Sequence, residues 1–427
     1  VIDISGPPPR IIDSVDIPGR GYKMRQVAGS KGRRAVFRDT SGGAYSYLDA
    51  TGDVYVPGAN DTIIRIPIRN RRVVKDEMVY LNLGISVEKG TIVEEILSKK
   101  PALNKLTAIM PDADGRVWFT SKFGIVGVID SLGEKSKDGC PPIYTAAIQL
   151  FSVEQKLRQL FQPLPEGAEE FFEKARQAEA AQDIDKLPEI RSEFRRLFLG
   201  KSDLAEQIQN SFSIGPGGVY IVSNVALYKL HFNPEEKRIE LDSKWKPTYA
   251  EGDLIYDNDH KIKPGHLNDG SGTTPTLVGD RFVAIVDNGP DSVHLNVFRQ
   301  DNGKLVSKLP LFEPGKGAVE NSVVAYKDHL VVGNTYGYLD PFKENDTAGG
   351  LMRFDFDHAK GTYVEKEGWP AAGHIDAKTA TPKLSTPRGL IYVYQREREA
   401  TNDHKDWVLT AIDFRTGWRV FKIKGYF

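Results

Sequence analysis

The chain has 427 residues, 40% of them hydrophobic, and 57 basic side chains against 58 acidic ones leave a formal charge of −1. Such a length can bury a large core, while the balanced charge excludes the strongly basic face of a nucleic-acid binder, so no nucleic-acid partner is expected. No run reaches the roughly 18 consecutive apolar residues of a membrane-spanning helix, and the single Cys140 excludes an intramolecular disulfide and a Cys-cluster metal site.

The first segment, Val1-Ile-Asp-Ile-Ser-Gly-Pro-Pro-Pro, is polar and Pro-rich and lacks a Met or an apolar leader. With the low Cys usage it fits a processed or trimmed chain, periplasmic or secreted, with the cytosol left open. Alternating apolar residues bounded by Gly, Asp and Pro then give strands in sets of four. The first set is Ala44–Leu48, Asp53–Val56, Thr62–Ile66 and Met78–Leu81; the second is Leu106–Met110, Arg116–Thr120, Ile125–Ile129 and Ile143–Ala147. Ser152 to Gln209 breaks this cadence. It is rich in Glu, Lys, Gln, Ala and Leu, and Leu157, Leu160, Phe161, Phe171, Phe172, Ala175, Phe194, Leu197 and Phe198 recur at helical spacing. Two or three amphipathic helices are expected, with breaks near Pro163 and Pro188.

The strands resume at Ser211–Ile214, Val219–Val222, Ala226–Leu230 and Arg238–Leu241. A fourth set follows at Thr274–Val278, Arg281–Val286, Val293–Phe298 and Lys304–Lys308. A fifth is Ser322–Tyr326, His329–Val332, Gly350–Phe354 and Thr362–Glu365. The last is Thr381–Leu384, Leu390–Tyr394, Trp407–Ile412 and Arg419–Lys422. A four-stranded meander cannot bury its own two faces, so the units must stack, and repeats of roughly 40–60 residues with four short strands are the signature of a β-propeller. The expectation is an all-β, six-bladed β-propeller over residues 1–427, with room for a seventh blade between Asp13 and Thr40, and an α-helical insertion on its top face. That placement follows from strand parity. In a meander the entry to strand one and the exits of strands two and four share one end, so an insertion after a fourth strand projects there, as a lid or an interaction segment.

Several strand-three-to-four turns resemble the docking motif of quinoprotein-type (PQQ-like) propellers, Ala-x-Asp-x-x-Thr-Gly leading into Trp. Ala411-Ile-Asp413-Phe-Arg-Thr416-Gly417-Trp-Arg-Val-Phe421 matches, with Phe421 in place of the Trp, and Val297–Lys304 and Phe354–Gly361 are looser copies. The resemblance implies turns closed by the acid and Thr, a Gly at positive φ and an aromatic wedge between blades. It does not imply the cofactor: quinoprotein dehydrogenases carry an adjacent Cys pair, this chain has one Cys, and PQQ is not expected. Pro111-Asp-Ala-Asp-Gly-Arg-Val-Trp-Phe119 is similar to a turn of gluconolactonase, strictosidine-synthase-like and paraoxonase-like six-bladed propellers, whose shared feature is a calcium ion in the channel.

The same parity argument selects candidate site residues. Asn224, Asp287, Asn288 and Asn334 follow second strands, and Glu320 enters a first strand. Oxygen donors from several blades suit Ca²⁺, which takes six to eight of them at roughly 2.3–2.6 Å; the alternative is that Asn and Asp cap turns at strand ends. Gly265-His266-Leu-Asn-Asp269 and Gly373-His374-Ile-Asp376 echo each other at the entries of the fourth and sixth sets. His266 and His374 beside Asp269 and Asp376 could act as general bases, or each His could simply bond its own loop. Gly270-Ser-Gly-Thr is Gly-rich but opens no helix, so a dinucleotide reading fails. Two functions fit: a hydrolase- or lyase-like enzyme acting on a small molecule at the channel mouth with Ca²⁺ assistance, or a non-enzymatic scaffold for protein–protein interaction in the cell envelope, with residues 152–209 contacting a protein partner or a second copy.

Overall fold

The computed structural model describes residues 1–3, 10–15, 45–57, 62–83, 106–122, 124–129, 146–150, 154, 157–158, 161–181, 186–198, 206–245, 249, 270–289, 291–337, 348–369, 375, 381–396 and 407–424. Among them the chain forms six four-stranded antiparallel sheets, each a blade-type meander, and the protein is an all-β chain of the β-propeller class. A two-stranded ribbon, β1 (Ile2–Asp3) with β2 (Arg10–Ile11), precedes them.

The first sheet contains β3 (Tyr47–Leu48), β4 (Val54–Pro57), β5 (Thr62–Ile66) and β8 (Val79–Asn82). A hairpin of β6 (Ile68–Arg69) and β7 (Arg72–Val73), turning on Asn70 and Arg71 at positive φ, sits between β5 and β8. The second sheet runs β9 (Leu106–Pro111), β10 (Val117–Ser121), β11 (Ile125–Ile129) and β12 (Ala146–Gln149). The two share a core in which Tyr55, Ile63 and Leu81 meet Ile109, Val117 and Phe119. The third sheet comprises β13 (Ser213–Gly215), β14 (Gly218–Val222), β15 (Leu227–Asn233) and β16 (Arg238–Leu241). The fourth has β17 (Thr276–Val278), β18 (Phe282–Val286), β19 (Val293–Arg299) and β20 (Leu305–Leu311). The fifth is β21 (Val324–Tyr326), β22 (His329–Gly333), β23 (Leu351–Asp357) and β24 (Thr362–Glu365). The sixth is β25 (Lys383–Ser385), β26 (Leu390–Arg396), β27 (Trp407–Asp413) and β28 (Arg419–Lys424). The chain divides into two compact units, 1–211 with 232–240, and 212–231 with 241–427.

In the second unit each face of the fourth sheet is covered. Val283 and Ile285 pack on Tyr220, Val222, Trp245 and Tyr249 of the third, while Ala284 and Val286 pack on Val323, Leu330 and Phe354 of the fifth. That is why β18 is an uninterrupted Phe-Val-Ala-Ile-Val run, every residue buried; each such side chain contributes roughly 1.5–3 kcal/mol through burial. In β26 Ile391 and Val393 face the fifth sheet, beside Trp369 and Phe414, and Tyr392 and Tyr394 alternate with them.

The docking turns close as the resemblance implies. Asp413 Oδ1 accepts the Thr416 N–H at 2.7 Å and the Thr416 hydroxyl at 3.0 Å, and Gly417 sits at φ +75. Asp357 Oδ1 accepts the N–H groups of Ala359 and Lys360 before Gly361 at φ +67. The aromatic wedge is a correction: Phe421 remains 37% exposed on the outermost strand of its sheet. Buried tryptophans that follow fourth strands do that work instead, Trp245 donating Nε1–H to the Leu227 carbonyl and Trp369 to the Phe414 carbonyl.

The expected helices are α1 (Ala168–Ala181) and α2 (Leu187–Leu197), inside the predicted insertion. Glu169 and Glu170 complement the α1 dipole, and Pro188 starts α2 where its missing N–H is tolerated. Phe161, Phe171, Phe172, Phe194 and Phe198 form one aromatic cluster with ring centroids 5.1–6.0 Å apart. Both ends of the insertion are tied to the loop between β10 and β11: Leu150 N–H donates to Gly124 O, and Ile208 N–H to Lys122 O. Within the second sheet this is the end that strand parity selects. Among the described residues no helix is long and apolar enough to cross a membrane.

Candidate functional site

The strand-two ends of the third, fourth and fifth sheets repeat one polar pair, Ser223-Asn224, Asp287-Asn288 and Asn334-Thr335, all buried. The first member caps the loop to strand three. Ser223 Oγ accepts the Val225 and Ala226 N–H groups, Asp287 Oδ1 those of Gly289 and His294, and Asn334 Oδ1 that of Tyr336. The second member reaches toward entry loops of first strands. Asn288 Nδ2 donates to Gly270 O at 3.0 Å and Val319 O at 3.1 Å, and its Oδ1 accepts Val319 N–H at 3.0 Å. Thr335 Oγ1 donates to Ala318 O, and Asn334 also accepts Ala318 N–H while donating to Lys316 O.

Gly270-Ser-Gly-Thr has a steric role here. A Cβ on Gly270, at φ +75, would stand 2.3 Å from Asn224 O, and one on Gly272 would stand 2.5 Å from Val319 O and 2.7 Å from Glu320 Oε2. The loop passes between the third and fifth sheets where only glycine fits. Tyr249 OH donates to Ser223 O and accepts Ser271 N–H, and Thr273 Oγ1 accepts Val286 N–H. Buried backbone groups outside the ladders are thereby satisfied by side chains.

The structure therefore brings Asn224, Asn288 and Glu320 around one loop, with Asn334 one residue pair away. The oxygen atoms of Asp287, Asn288 and Asn334 already accept N–H groups, and Asp287 Oδ2 also accepts the Asn296 amide at 3.0 Å. A calcium ion bound through them would share these oxygens with the N–H groups they already accept. Among the described residues no group of three or more His, Cys, Asp or Glu lies together. His266, Asp269, His374 and Asp376 fall outside the described residues. The turn similar to gluconolactonase-type propellers is likewise self-contained: Asp112 accepts from the N–H groups of Asp114 and Arg116, from Arg116 Nε and from Trp118 Nε1.

Two His–Asp contacts escaped the sequence reading. His294 Nδ1 lies 3.2 Å from Asp287 Oδ2, because the first residues of β19 face the end of β18; antiparallel register was the signal that could have found it. At the far end of the strands, His329 Nδ1 meets Asp355 Oδ1 at 2.8 Å, and buried Arg353 binds Asp355 through Nε and Nη2 while Nη1 donates to Phe414 O at 2.7 Å. The guanidinium carbon is 4.3 Å from the Phe414 ring centroid. This joint locks the fifth sheet to the docking turn of the sixth. Burial pushes the Asp355 carboxyl up, but hydrogen bonds from Arg353 and His329 pull it below its ordinary value.

The exposed surface is apolar in one place above all. Trp418, Val420, Phe421 and Ile423 are 66%, 55%, 37% and 55% exposed, and none of the exposed large apolar side chains among the described residues lies on α1 or α2. The Phe421 ring stands 6.3 Å from Tyr392.

The chain matches no protein-family model and no curated protein. Among solved structures it is similar to a structural-genomics target protein from Lactobacillus plantarum, at 11% identity and TM-score 0.46, over 89% of this chain and 84% of that one. It is also similar to the Dos1 propeller, at 8% identity and TM-score 0.41, over 90% and 69% of the two chains. A third is the extracellular domain of BT4673 from B. thetaiotaomicron, at 10% identity and TM-score 0.38, over 88% of this chain and 42% of that one.

Proposed function

We propose that this chain is a non-enzymatic propeller scaffold that binds a protein partner through the outer part of its sixth sheet. The observation that carries the reading is the run of four exposed large apolar side chains at 418–423, where each of the other described sheets exposes at most two. A cluster of this kind marks an interaction surface. The partner face moves accordingly from the helical insertion, where the sequence puts it, to β28; the phenylalanines of 161–198 are turned on one another. The hydrolase- or lyase-like reading rests on His266, His374, Asp269 and Asp376, outside the described residues; in the His–Asp contact at the described strand ends, His294 beside Asp287, the carboxylate is already engaged by the Asn296 amide and the Gly289 and His294 N–H groups.

A photo-crosslinking residue at Ile423 of the full chain, in cells that express it, tests this. A discrete protein adduct at 423, absent when the crosslinker stands at Asp280, is the expected result. No adduct at 423, or equal labelling at both positions, removes the reading.

A further inference from the structure

Arginine, aspartate and phenylalanine meet at two places beside the fifth sheet, and the two clusters are built differently. In the joint described above Arg353 is 7% exposed and its Nη1 is held by the Phe414 carbonyl, so the guanidinium is locked. Arg281, in the turn between β17 and β18, is 44% exposed, and its guanidinium hydrogen-bonds only Asp328 among the described residues. The guanidinium carbon stands 4.9 Å from the centre of the Phe282 ring and 5.4 Å from that of Phe356, and the two ring centroids are 5.0 Å apart. The cation therefore sits in a notch between two rings, with a carboxylate beside it. Register makes the notch. Phe356 pairs with Tyr363 across β23 and β24, which puts both on one face, and that face packs on Phe282 at the start of β18. The Tyr363 ring lies 5.9 Å from Phe282 and 5.2 Å from Phe356, and His358 stands edge-on to Phe356 with Nε2 3.1 Å from Asp328 Oδ2. Among the described residues the buried Tyr363 hydroxyl has no hydrogen-bond partner. Burial pushes its pKa up, and the charges that act on it are Asp328 and Arg281, which places it on their side of the ring stack.

We infer that Phe282, Phe356, Tyr363 and Asp328 form a binding site for a small quaternary ammonium compound, which Arg281 fills as a tethered stand-in until the ligand displaces it. The site lies on the fourth and fifth sheets and is independent of the scaffold reading. Aromatic faces attract cations through the ring quadrupole, more strongly when the cation is desolvated. A guanidinium has to surrender hydrogen bonds to water before it can enter such a notch. A trimethylammonium group has no N–H to surrender, and its methyl groups cover the rings. The hold of Arg281 is weak, because an exposed ion pair is screened and orders two long side chains for little gain. An arginine from a partner offers nothing that Arg281 does not already supply in the same chain. A hard metal ion is a poor match, since it needs six or more oxygen donors and the rings offer none. An anion is repelled by Asp328.

The test uses the full chain and saturation-transfer NMR of choline, beside its uncharged tert-butyl analogue. Choline should bind the native chain and the analogue should not. Arg281→Ala should tighten choline binding about ten-fold, since the resident competitor is gone. In that background Asp328→Asn, which keeps the shape and removes the charge, should weaken binding by about the same factor. Phe356→Leu should abolish it while circular dichroism shows an intact fold. Absence of choline binding to the native chain, equal binding of the uncharged analogue, or binding that Arg281→Ala leaves unchanged or weakens would overturn the inference. A trimethyllysine peptide that binds more tightly than choline also overturns it, by assigning the site to a protein side chain. None of these outcomes alters the crosslinking expected at Ile423, so the two readings stand or fall separately.

Discussion

The fourth and sixth sheets are the same four-strand meander used in two ways. In the fourth, both faces of β18 are buried, its charged residues balance, and Asp287 and Asn288 are committed to backbone groups around them. In the sixth, one face is packed on the fifth sheet and β28 is left exposed, with apolar and basic side chains in alternation. Polar groups in a buried setting are structural because water cannot serve the backbone there, so the side chains must. An exposed apolar row has no such internal explanation. The lesson is that an Asn or Asp at a propeller strand end argues first for a cap, and function is better sought where the packing rule is broken.

The comparison predicts unequal responses to substitution. The largest belongs to Arg353→Met at the joint between the fifth and sixth sheets. It removes the guanidinium from the Asp355 carboxylate, leaving His329 as its partner, and takes one of two donors from the Phe414 carbonyl, and should cost about 3 kcal/mol in denaturant unfolding. Next comes Asn288→Ala, which leaves Val319 N–H and O and Gly270 O without the amide; about 2 kcal/mol is expected. If calorimetry finds either change neutral, the buried network is not what holds these sheets.

A third effect is confined to acid. Folding depresses the Asp355 carboxyl below its ordinary 3.8. Such a group stabilises fully above its unfolded pKa and loses that contribution as the pH falls through the folded one. Melting temperature should therefore fall below about pH 3.8 in the native chain, and less steeply in Asp355→Asn. Identical slopes would show that Arg353 and His329 do not hold the carboxylate in solution. The smallest effect is Lys422→Glu with Lys424→Glu: these exposed positions should change unfolding by less than about 0.5 kcal/mol, whatever they do to binding. A large loss there would make β28 part of the packed structure and erase the contrast between the two sheets.

The meander itself was legible because each strand carries its own period-two pattern and its own turn residues. Asp413, Thr416 and Gly417 announce a closed turn without any tertiary context, since the bonds run between neighbours in sequence. The residues put forward for calcium were legible as strand-end polar groups but not as caps. Whether the Asn288 oxygen meets a cation or the Val319 N–H depends on a loop thirty residues away in the chain. His294 was overlooked for the same reason: Asp287 lies seven positions earlier and only antiparallel pairing brings the two together.

By itself the amino-acid sequence determined the all-β class, the four-strand cadence, the helical insertion and the turns, because these rest on periodicity and local backbone preference. Tertiary structure alone decided that Gly270 and Gly272 serve close passage between sheets, that Arg353 grips a turn sixty residues on, and that Phe421 faces outward in place of wedging between blades. Those outcomes are set by which surfaces remain after the sheets have stacked, a property of the assembled chain that no single strand encodes.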